Sequence, residues 1–311
     1  MTDVPHVPVG RRILANRLFL AVCVFCTGLA VCVLAVLIVS IVMDGVHRLS
    51  PDFIANFASR KPQEAGIRAP LVGSIWVCAI CALTALPIGV GTAIYLEEFA
   101  KRGKFTEFIR INISNLSGVP SVVYGIIGLT AFSRFFGWRA GAAPIALGNP
   151  DSMLYLQLPF GSGVLAGGLT LALVVLPIVI VASQEAIRAV PNSLRQGSLA
   201  LGSTRWQMVS QITLPASLPM IMTGAILAMS RAIGEAAPIL VLGAPLLVLE
   251  TPTNLMSDFT VLPMQVFNWM KRSKASFQEI AAAAIIVQLA VLMSFNAFAI
   301  LVRQRLQTPL Q

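Results

Sequence analysis

Six long runs of apolar residues, separated by short polar segments, dominate the hydropathy pattern of the chain. The five runs without a charged residue are 18–43, 69–96, 111–133, 152–184 and 280–302. The remaining run, 216–249, is equally apolar but contains Arg231 and Glu235. About 20 apolar helical residues cross the hydrocarbon core of a bilayer, and none of these runs alternates with the period of two that barrel strands require. The pattern therefore predicts an all-α integral membrane protein with six transmembrane helices.

Composition supports this prediction. Of the 311 residues, 57% are hydrophobic and only 11% are charged, whereas soluble proteins carry about 25% charged residues. So little polar surface cannot cover a water-soluble domain, which excludes a cytosolic enzyme, a secreted domain and a disordered chain. In this context the net charge of +9 indicates basic ends and loops facing anionic lipid rather than nucleic acid.

Basic residues flank both ends of the apolar region. Arg11, Arg12 and Arg17 precede the first run, and Arg303 and Arg305 follow the last. Six spans place both termini on one side, and the positive-inside rule predicts that this side is the cytoplasm. The predicted units are a cytoplasmic segment (1–17), an extra N-terminal transmembrane helix (18–43) and a domain (69–303) that contains a polar loop (184–215).

Residues that carry chemistry are few. The five cysteines lie in apolar runs with no His or carboxylate beside them, so we interpret them as packing residues rather than as metal or redox sites. The histidines His6 and His47 lie outside the runs, and no phosphate-binding Gly-x-x-x-x-Gly-Lys loop occurs. We therefore predict no cofactor and no catalysis by this chain, so that a separate partner must hydrolyse any ATP that is used.

The polar loop is patterned as two short helices. Ser193–Gln196 and Thr204–Gln207 both fit the capping box, which predicts helices beginning near positions 194 and 205. Gly202 lies between them, where a left-handed helix end favours glycine, and Pro215 is predicted to end the second helix. Trp206, Val209 and Ile212 form an apolar stripe on that second helix. The stripe has two open interpretations, packing on the protein's own helix ends or on lipid, and contact with a soluble partner.

Arg231 and Glu235 are the charges inside the run 216–249. They are four residues apart, so they share one helix face and can pair, and a lone Arg at mid-membrane costs about 2.5–3.5 kcal/mol. One interpretation is a structural ion pair that locks this helix to a neighbour. The other is a wet pathway, because a guanidinium suits an oxyanion such as phosphate. Our hypothesis is that Arg231 contacts a translocated anion and that Glu235 tunes its charge or gates the path.

The loop resembles that of ABC-importer permeases. Gly202 and the segment Ile212–Pro215 match the Gly-x9-Ile-x-Leu-Pro core of the family's EAA loop. The Glu-Ala-Ala motif that gives the loop its name aligns with Gln196, Gly197 and Ser198, so this chain lacks those three residue types there. The resemblance implies a coupling loop that lies in a cleft of the ATP-binding subunit. The residues that it assigns to this contact are Gln196, Gly197, Ser198, Gly202, Trp206, Ile212, Leu214 and Pro215.

Two further segments, Asn115–Gly125 and Ser230–Pro238, resemble helices of phosphate-importer permeases. The region 69–303 is similar to the PstA-type permease, whose sister, the PstC type, shares some motifs. The resemblance implies a MetI-like type I core of five helices plus one N-terminal helix, in a bacterial or archaeal inner membrane. It also implies two ATP-binding subunits, a PstC-like second permease and an extracytoplasmic phosphate-binding protein. For Arg188, which matches a family arginine, it leaves a substrate-pathway role and a positive-inside anchor open.

Three alternatives remain beside this prediction. One is a permease of the same architecture for another solute. A second is a proton-coupled secondary transporter that uses Glu235, against which stands the lack of an evident inverted repeat. An intramembrane enzyme is disfavoured, because the predicted spans contain one carboxylate and no histidine.

Overall fold

A computed structural model describes residues 9–101, 103–134, 145–149, 152–245 and 247–306, so positions 1–8 of the predicted N-terminal segment lie outside the described residues. The helices are α1 (Val9–Gly45), α2 (Pro51–Ala55), α3 (Arg68–Ile94), α4 (Lys104–Leu116), α5 (Ser121–Gly128), α6 (Val164–Arg188), α7 (Asn192–Ala200), α8 (Arg205–Met208), α9 (Leu214–Gly234), α10 (Ala237–Leu242), α11 (Leu262–Met270) and α12 (Ala275–Leu306). Strands β1 (Ile145–Leu147) and β2 (Leu156–Leu158) form an antiparallel hairpin.

Within the described residues, five helices are long and apolar enough to cross a membrane. They are α1, α3, α6, α12 and the helix that continues from α8 through α9. The bent pair of α4 and α5 provides a sixth crossing if it is counted as one span. The prediction of an all-α membrane protein is confirmed, with the small hairpin as an addition.

The third predicted span, 111–133, is wrong in its geometry, because the chain bends by 105° between α4 and α5. Pro120 lacks an amide hydrogen and disfavours a helical conformation at Val119, so the helix stops before it. The Tyr124 hydroxyl then donates a hydrogen bond of 2.7 Å to the carbonyl oxygen of Leu116. The same carbonyl also accepts from the amide of Val119 (3.1 Å), so two hydrogen bonds from the chain beyond α4 hold its end and stabilise the bend.

Two other runs differ from the predicted bounds. The run 152–184 begins with strand β2, and α6 starts only at Val164, because Pro159 and Gly161 interrupt the segment between them. Within the run 216–249, α9 ends at Gly234 and a short helix, α10, follows. Averaged hydropathy does not detect these breaks, since the residues on both sides of each break are apolar.

The main hydrophobic core lies where α3, α6, α9 and α10 meet. Val77, Val175, Ile239 and Phe259 are fully buried there. A second cluster, around Trp269, joins α2, α11 and the beginning of α12 at the opposite end of the molecule from α7. The core helices thus form one packed bundle that carries the polar loop at one end.

The N-terminal helix α1 lies outside this bundle and packs against α12. At their crossing, a Cβ atom added to Gly45 would lie 2.6 Å from the backbone of Ala282, so the two backbones approach closely. Most of the remaining apolar side chains of α1 are exposed in the isolated chain, as expected for a helix that faces lipid.

Candidate functional site

The polar loop forms two helices, as predicted, but only one of the two capping boxes is present. At α8 the amide of Gln207 donates to the Thr204 hydroxyl oxygen (3.3 Å), and the amide of Thr204 donates to the Gln207 side chain (2.8 Å). The box predicted at Ser193 is wrong. Helix α7 already begins at Asn192, after the extended backbone of Pro191, so Ser193 lies inside the first turn.

The turn between α7 and α8 depends on Gly202. Its φ of +87° lies in the left-handed region, which costs a glycine little and other residues more. The amide of Gly202 donates to the carbonyl oxygen of Leu199 (3.0 Å), and the amide of Ser203 donates to that of Ser198 (3.3 Å). The predicted left-handed helix end is therefore confirmed.

Pro215 does not end the second helix, which corrects that prediction. A π-helical turn, Val209–Thr213, follows α8 and leads directly into α9, where Pro215 occupies the first turn. A proline disrupts a regular helix because it lacks the amide hydrogen and crowds the carbonyl four residues earlier. The regular bonding pattern is already replaced by the wider π turn here, so the helix passes through the proline. Residues Arg205–Gly234 form one continuous helix.

One part of the apolar stripe packs on the protein itself, and another part is exposed, so each of the two interpretations left open by the sequence applies to some of its residues. Val209 is buried against the protein, whereas Trp206 is 66% exposed and its ring centre lies 6.4 Å from that of Phe99. Leu201, in the adjacent turn, is 90% exposed. Of the predicted coupling residues, Gln196, Gly197, Gly202, Trp206 and Pro215 are exposed, and Ser198, Ile212 and Leu214 are half-buried.

An ion cluster that the sequence analysis did not anticipate lies beside this loop, around Glu97. Arg188, at the end of α6, donates from Nε (3.0 Å) and Nη2 (2.9 Å) to the two carboxylate oxygens of Glu97. Gln184 donates to the same carboxylate (2.9 Å), and Nη1 of Arg110 on α4 lies 3.2 Å from it. Nη1 of Arg188 also donates to Glu185 (2.9 Å). This Glu97 cluster joins the ends of α3 and α6 to the middle of α4.

The neighbouring carboxylate, Glu98, contacts α7 instead. Its Oε1 atom lies 3.1 Å from Nη2 of Arg195, and the two side chains are 7% and 18% exposed. Arg195 also donates to the carbonyl oxygen of Ile187 (2.6 Å) and to the side chain of Asn192 (2.9 Å). Glu97, Glu98, Arg188 and Arg195 border one cleft of about 690 Å³. The sequence signal for this arrangement is a pair of consecutive carboxylates at the end of an apolar run.

Arg231 and Glu235 meet as an ion pair, as their spacing predicted, with 3.2 Å between Nε and Oε1. Glu235 directly follows the last residue of α9, and its backbone is extended. The Arg231 side chain is 51% exposed and that of Glu235 is 17% exposed. Leu227 and Gly234 are exposed on the same face of α9 as Arg231, whereas Ala232 is buried in the bundle. The pair thus lies at a helix break on a face that the chain's own helices leave open.

The two segments that resemble phosphate-importer permeases, 115–125 and 230–238, contact each other near this break. Helix α5 packs against α10, and a Cβ atom added to Gly125 would lie 2.8–2.9 Å from the backbone of Pro238. Ser230, one residue before Arg231, donates to the Asn296 side chain on α12 (2.6 Å). The two segments therefore pack together beside the Arg231–Glu235 pair, whereas Arg188, the third predicted pathway residue, lies apart from them in the Glu97 cluster.

Comparison with known proteins supplies the family. The sequence profile of the binding-protein-dependent transport system inner membrane components matches residues 85–308. The chain belongs to this family. Relatives of this permease include the probable ABC transporter permease protein YqgI of Bacillus subtilis, which is 35% identical over 69% of this chain and 66% of its own length.

Two further relatives carry names that refer to phosphate. The phosphate transport system permease protein PstC of Mesorhizobium japonicum is 31% identical, over 56% of this chain and 54% of its own length. The protein PstA of Yersinia pestis is 29% identical, over 82% of this chain and 78% of its own length. The chain thus spans about half to two thirds of the length of the first curated relatives that it matches.

The fold of the permease matches that of solved ABC importers. A chain of a bacterial alginate ABC transporter, solved in complex with an alginate pentasaccharide-bound periplasmic protein, superposes with a TM-score of 0.66. The match covers 96% of this chain and 98% of that chain at 17% identity. The prediction of a type I importer permease fold is confirmed.

Proposed function

We propose that this permease is one of two membrane subunits of an ATP-driven importer of inorganic phosphate. The observation that carries the proposal is Arg231, a half-exposed guanidinium at a helix break inside a span. The PstA and PstC names of relatives point to the same substrate. The chain itself catalyses no reaction in this proposal, and ATP hydrolysis takes place on partner subunits.

The Arg231 side chain has the capacity to bind an oxyanion. Within the described residues, only its Nε atom has a protein partner, the Glu235 carboxylate at 3.2 Å. The planar guanidinium therefore keeps its two terminal nitrogens for a bidentate contact with phosphate oxygens. Glu235 opposes the approach of the anion and keeps the site from holding it too tightly, because conduction requires release as well as binding.

The partners that we propose are two ATP-binding subunits, a PstC-like second permease and an extracytoplasmic phosphate-binding protein. The exposed Trp206 and Leu201 form the tip of the surface that enters the ATP-binding subunit. Both termini and α7–α8 then face the cytoplasm of a bacterial or archaeal cell. The face of α9 that carries Arg231 turns toward the second permease, so that the pathway runs between the two subunits.

Arg188 has a different role in this proposal. Its Nε and Nη atoms bind Glu97 and Glu185, which favours the anchoring interpretation over direct contact with the anion. Glu235 remains as the gating or tuning group beside Arg231.

The test is phosphate uptake by the complete complex in proteoliposomes. We expect uptake to require ATP and to persist when the proton gradient is collapsed. Arg231→Lys keeps the charge but loses the bidentate fork, so uptake should fall at least tenfold. Arg305→Lys, at the exposed end of α12, is the matched control and should transport normally.

The same assay separates the alternatives. Full transport by the Arg231→Lys complex would remove the anion-contact role. Uptake that continues without ATP and stops when the proton gradient collapses would instead identify a proton-coupled transporter, with Glu235 as the proton carrier. ATP-dependent uptake of another solute would support the importer function and contradict phosphate as its substrate.

A further inference from the structure

We propose that the Glu98–Arg195 ion pair is the joint through which movement of the coupling loop reaches the transmembrane core. This inference rests on the proposed function, because it assumes that an ATP-binding subunit contacts α7 and α8. It assigns Glu98 and Arg195 as positioning residues that touch neither the substrate nor ATP.

The first argument is the place of Glu98 in the fold. Glu97 and Glu98 both lie in a π-helical turn, Tyr95–Phe99, that continues α3 without a break. Their side chains have different partners, since Glu97 contacts α4 and α6 whereas Glu98 contacts α7. The same helix end therefore holds two carboxylates: Glu97 binds the core helices, and Glu98 contacts the polar loop.

The second argument is that the two carboxylates differ in how completely they are bound. Glu97 accepts hydrogen bonds from Arg188 and Gln184 and also contacts Arg110, so both of its oxygens have partners. Among the described residues, the buried Glu98 Oε1 and Arg195 Nε atoms have no hydrogen-bond partner. The 3.1 Å contact between Glu98 and Arg195 is thus an attraction between charges without good hydrogen-bond geometry.

An incompletely satisfied pair is suited to opening and closing. Breaking the Glu97 cluster would separate one carboxylate from three side chains at once and leave buried polar groups without partners, at a substantial desolvation cost. Breaking the Glu98–Arg195 contact leaves Arg195 its hydrogen bonds to Ile187 and Asn192. The Glu98 carboxylate borders the cleft, where water can reach it as the loop moves. When the loop moves, we therefore expect the Glu97 cluster to stay intact and the Glu98–Arg195 contact to change.

The third argument is the attachment of Arg195 to the loop. Its Nη1 atom donates to Asn192 at the beginning of α7 (2.9 Å), and the next residue, Gln196, is exposed at the surface assigned to the ATP-binding subunit. A displacement of that surface moves Arg195 directly. Through Glu98 the displacement reaches α3, which packs along α6 and also contacts α9 in the core. In this proposal the closed pair seen here and an opened pair are the two arrangements that differ in their contacts with the ATPase, as a switch requires.

The experiment uses the complete reconstituted complex and compares Glu98→Gln, Arg195→Gln, the double variant and the charge swap E98R/R195E. The readouts are phosphate uptake and the ratio of ATP hydrolysis with and without the loaded binding protein. We expect each single variant to bind the ATP-binding subunits normally, to lower uptake at least tenfold and to bring the hydrolysis ratio close to one. The double variant should be no worse than the single variants, and the charge swap should recover a substantial part of the coupling.

Glu107→Gln is the matched control, because Glu107 is exposed and borders the same cleft. Three results would each overturn the inference. The first is normal uptake and a normal hydrolysis ratio in both single variants, and the second is an equal loss in Glu107→Gln. The third is additive losses in the double variant without recovery in the charge swap. If Glu98→Gln does not assemble, the swap and Arg195→Gln decide by the same criteria. A wild-type complex that hydrolyses ATP but imports no phosphate would refute the proposed substrate, and the hydrolysis ratio of the variants would still test the joint.

Discussion

The charged group around Glu97 and the Arg231–Glu235 pair differ in almost every physical respect. Around Glu97 the charges are bound by several partners from three helices, and the carboxylate is 10% exposed. Arg231 has one contact, with its neighbour on the same helix, and is half-exposed. The first group uses its hydrogen-bonding capacity within the protein, whereas the second keeps most of it available.

Under the proposed function, this difference separates charges that stabilise the fold from a charge that binds the transported ion. A charge that helps to hold helices together must be satisfied by the chain itself, since a buried unpaired charge is strongly destabilising. A charge that binds a transported ion must be incompletely satisfied until that ion arrives. Loss of Glu97 should therefore lower stability most, and loss of Arg231 should lower transport with little effect on stability. Of four predictions, ordered by decreasing effect on stability, the first and the last test this comparison. The other two change a backbone contact of α5 and the cap of α8.

Glu97→Gln should have the largest effect on stability. Loss of this carboxylate leaves Arg188 and Arg110 without their shared partner, and breaking a largely buried pair costs about 3 kcal/mol. We expect a clear fall in the thermal unfolding midpoint of the purified permease. Glu64→Gln, which removes an exposed pair with Lys61, is the control and should leave the midpoint unchanged. An unaltered midpoint in Glu97→Gln would show that the cluster contributes little to the fold.

Gly125→Leu should destabilise the contact beside the pathway. Because a Cβ atom at this position already lies within 3 Å of the Pro238 backbone, a larger side chain must push α5 and α10 apart, at a cost of about 2 kcal/mol. The thermal midpoint should fall, and transport should fall with it. Gly91→Leu, where no atom lies within 4 Å of the added Cβ, should do neither; equal losses in both variants would contradict the packing argument.

Thr204→Ala should have a smaller effect, confined to the coupling loop. It removes the hydroxyl that caps α8, a loss typically worth about 1 kcal/mol. Hydrogen exchange of the amides in α8 should accelerate, while exchange in α6 stays unchanged. Thr204→Ser, which keeps a capping hydroxyl, should restore protection, and a failure to do so would mean that the cap is not what holds the helix start.

Arg231→Gln should have the smallest effect on stability, under about 1 kcal/mol, because a half-exposed pair contributes little. Phosphate uptake should nevertheless fall at least tenfold in the same preparation. If the thermal midpoint fell as much as that of Glu97→Gln, the Arg231–Glu235 pair would instead be a structural ion pair.

Much of the fold could be predicted from the sequence, because apolar runs of about 20 residues report directly on membrane spans. The start of α8 at Arg205 and the left-handed Gly202 also followed from local rules, the capping box and the glycine preference. Each of these features depends on residues close together in the chain.

Features that depend on distant residues were not predicted. Glu97 finds its partners 13, 87 and 91 positions away, at Arg110, Gln184 and Arg188, and no local pattern records such pairing. The passage of the helix through Pro215 was missed because the preceding π turn has no sequence signature of its own. For the pathway, the spacing of Arg231 and Glu235 predicted their contact but not the helix break at which they lie.

The continuous helix from Arg205 to Gly234 has a mechanical consequence. Its 30 residues form a rod about 45 Å long, with Trp206 near one end and Arg231 near the other. A tilt of about 5° about the Arg205 end would carry the far end through about 4 Å, by the same helix length. That distance exceeds the length of a hydrogen bond. In the proposed importer, a slight rotation of the helix at the Trp206 end is therefore enough to bring the Arg231 guanidinium to a bound anion or to remove it.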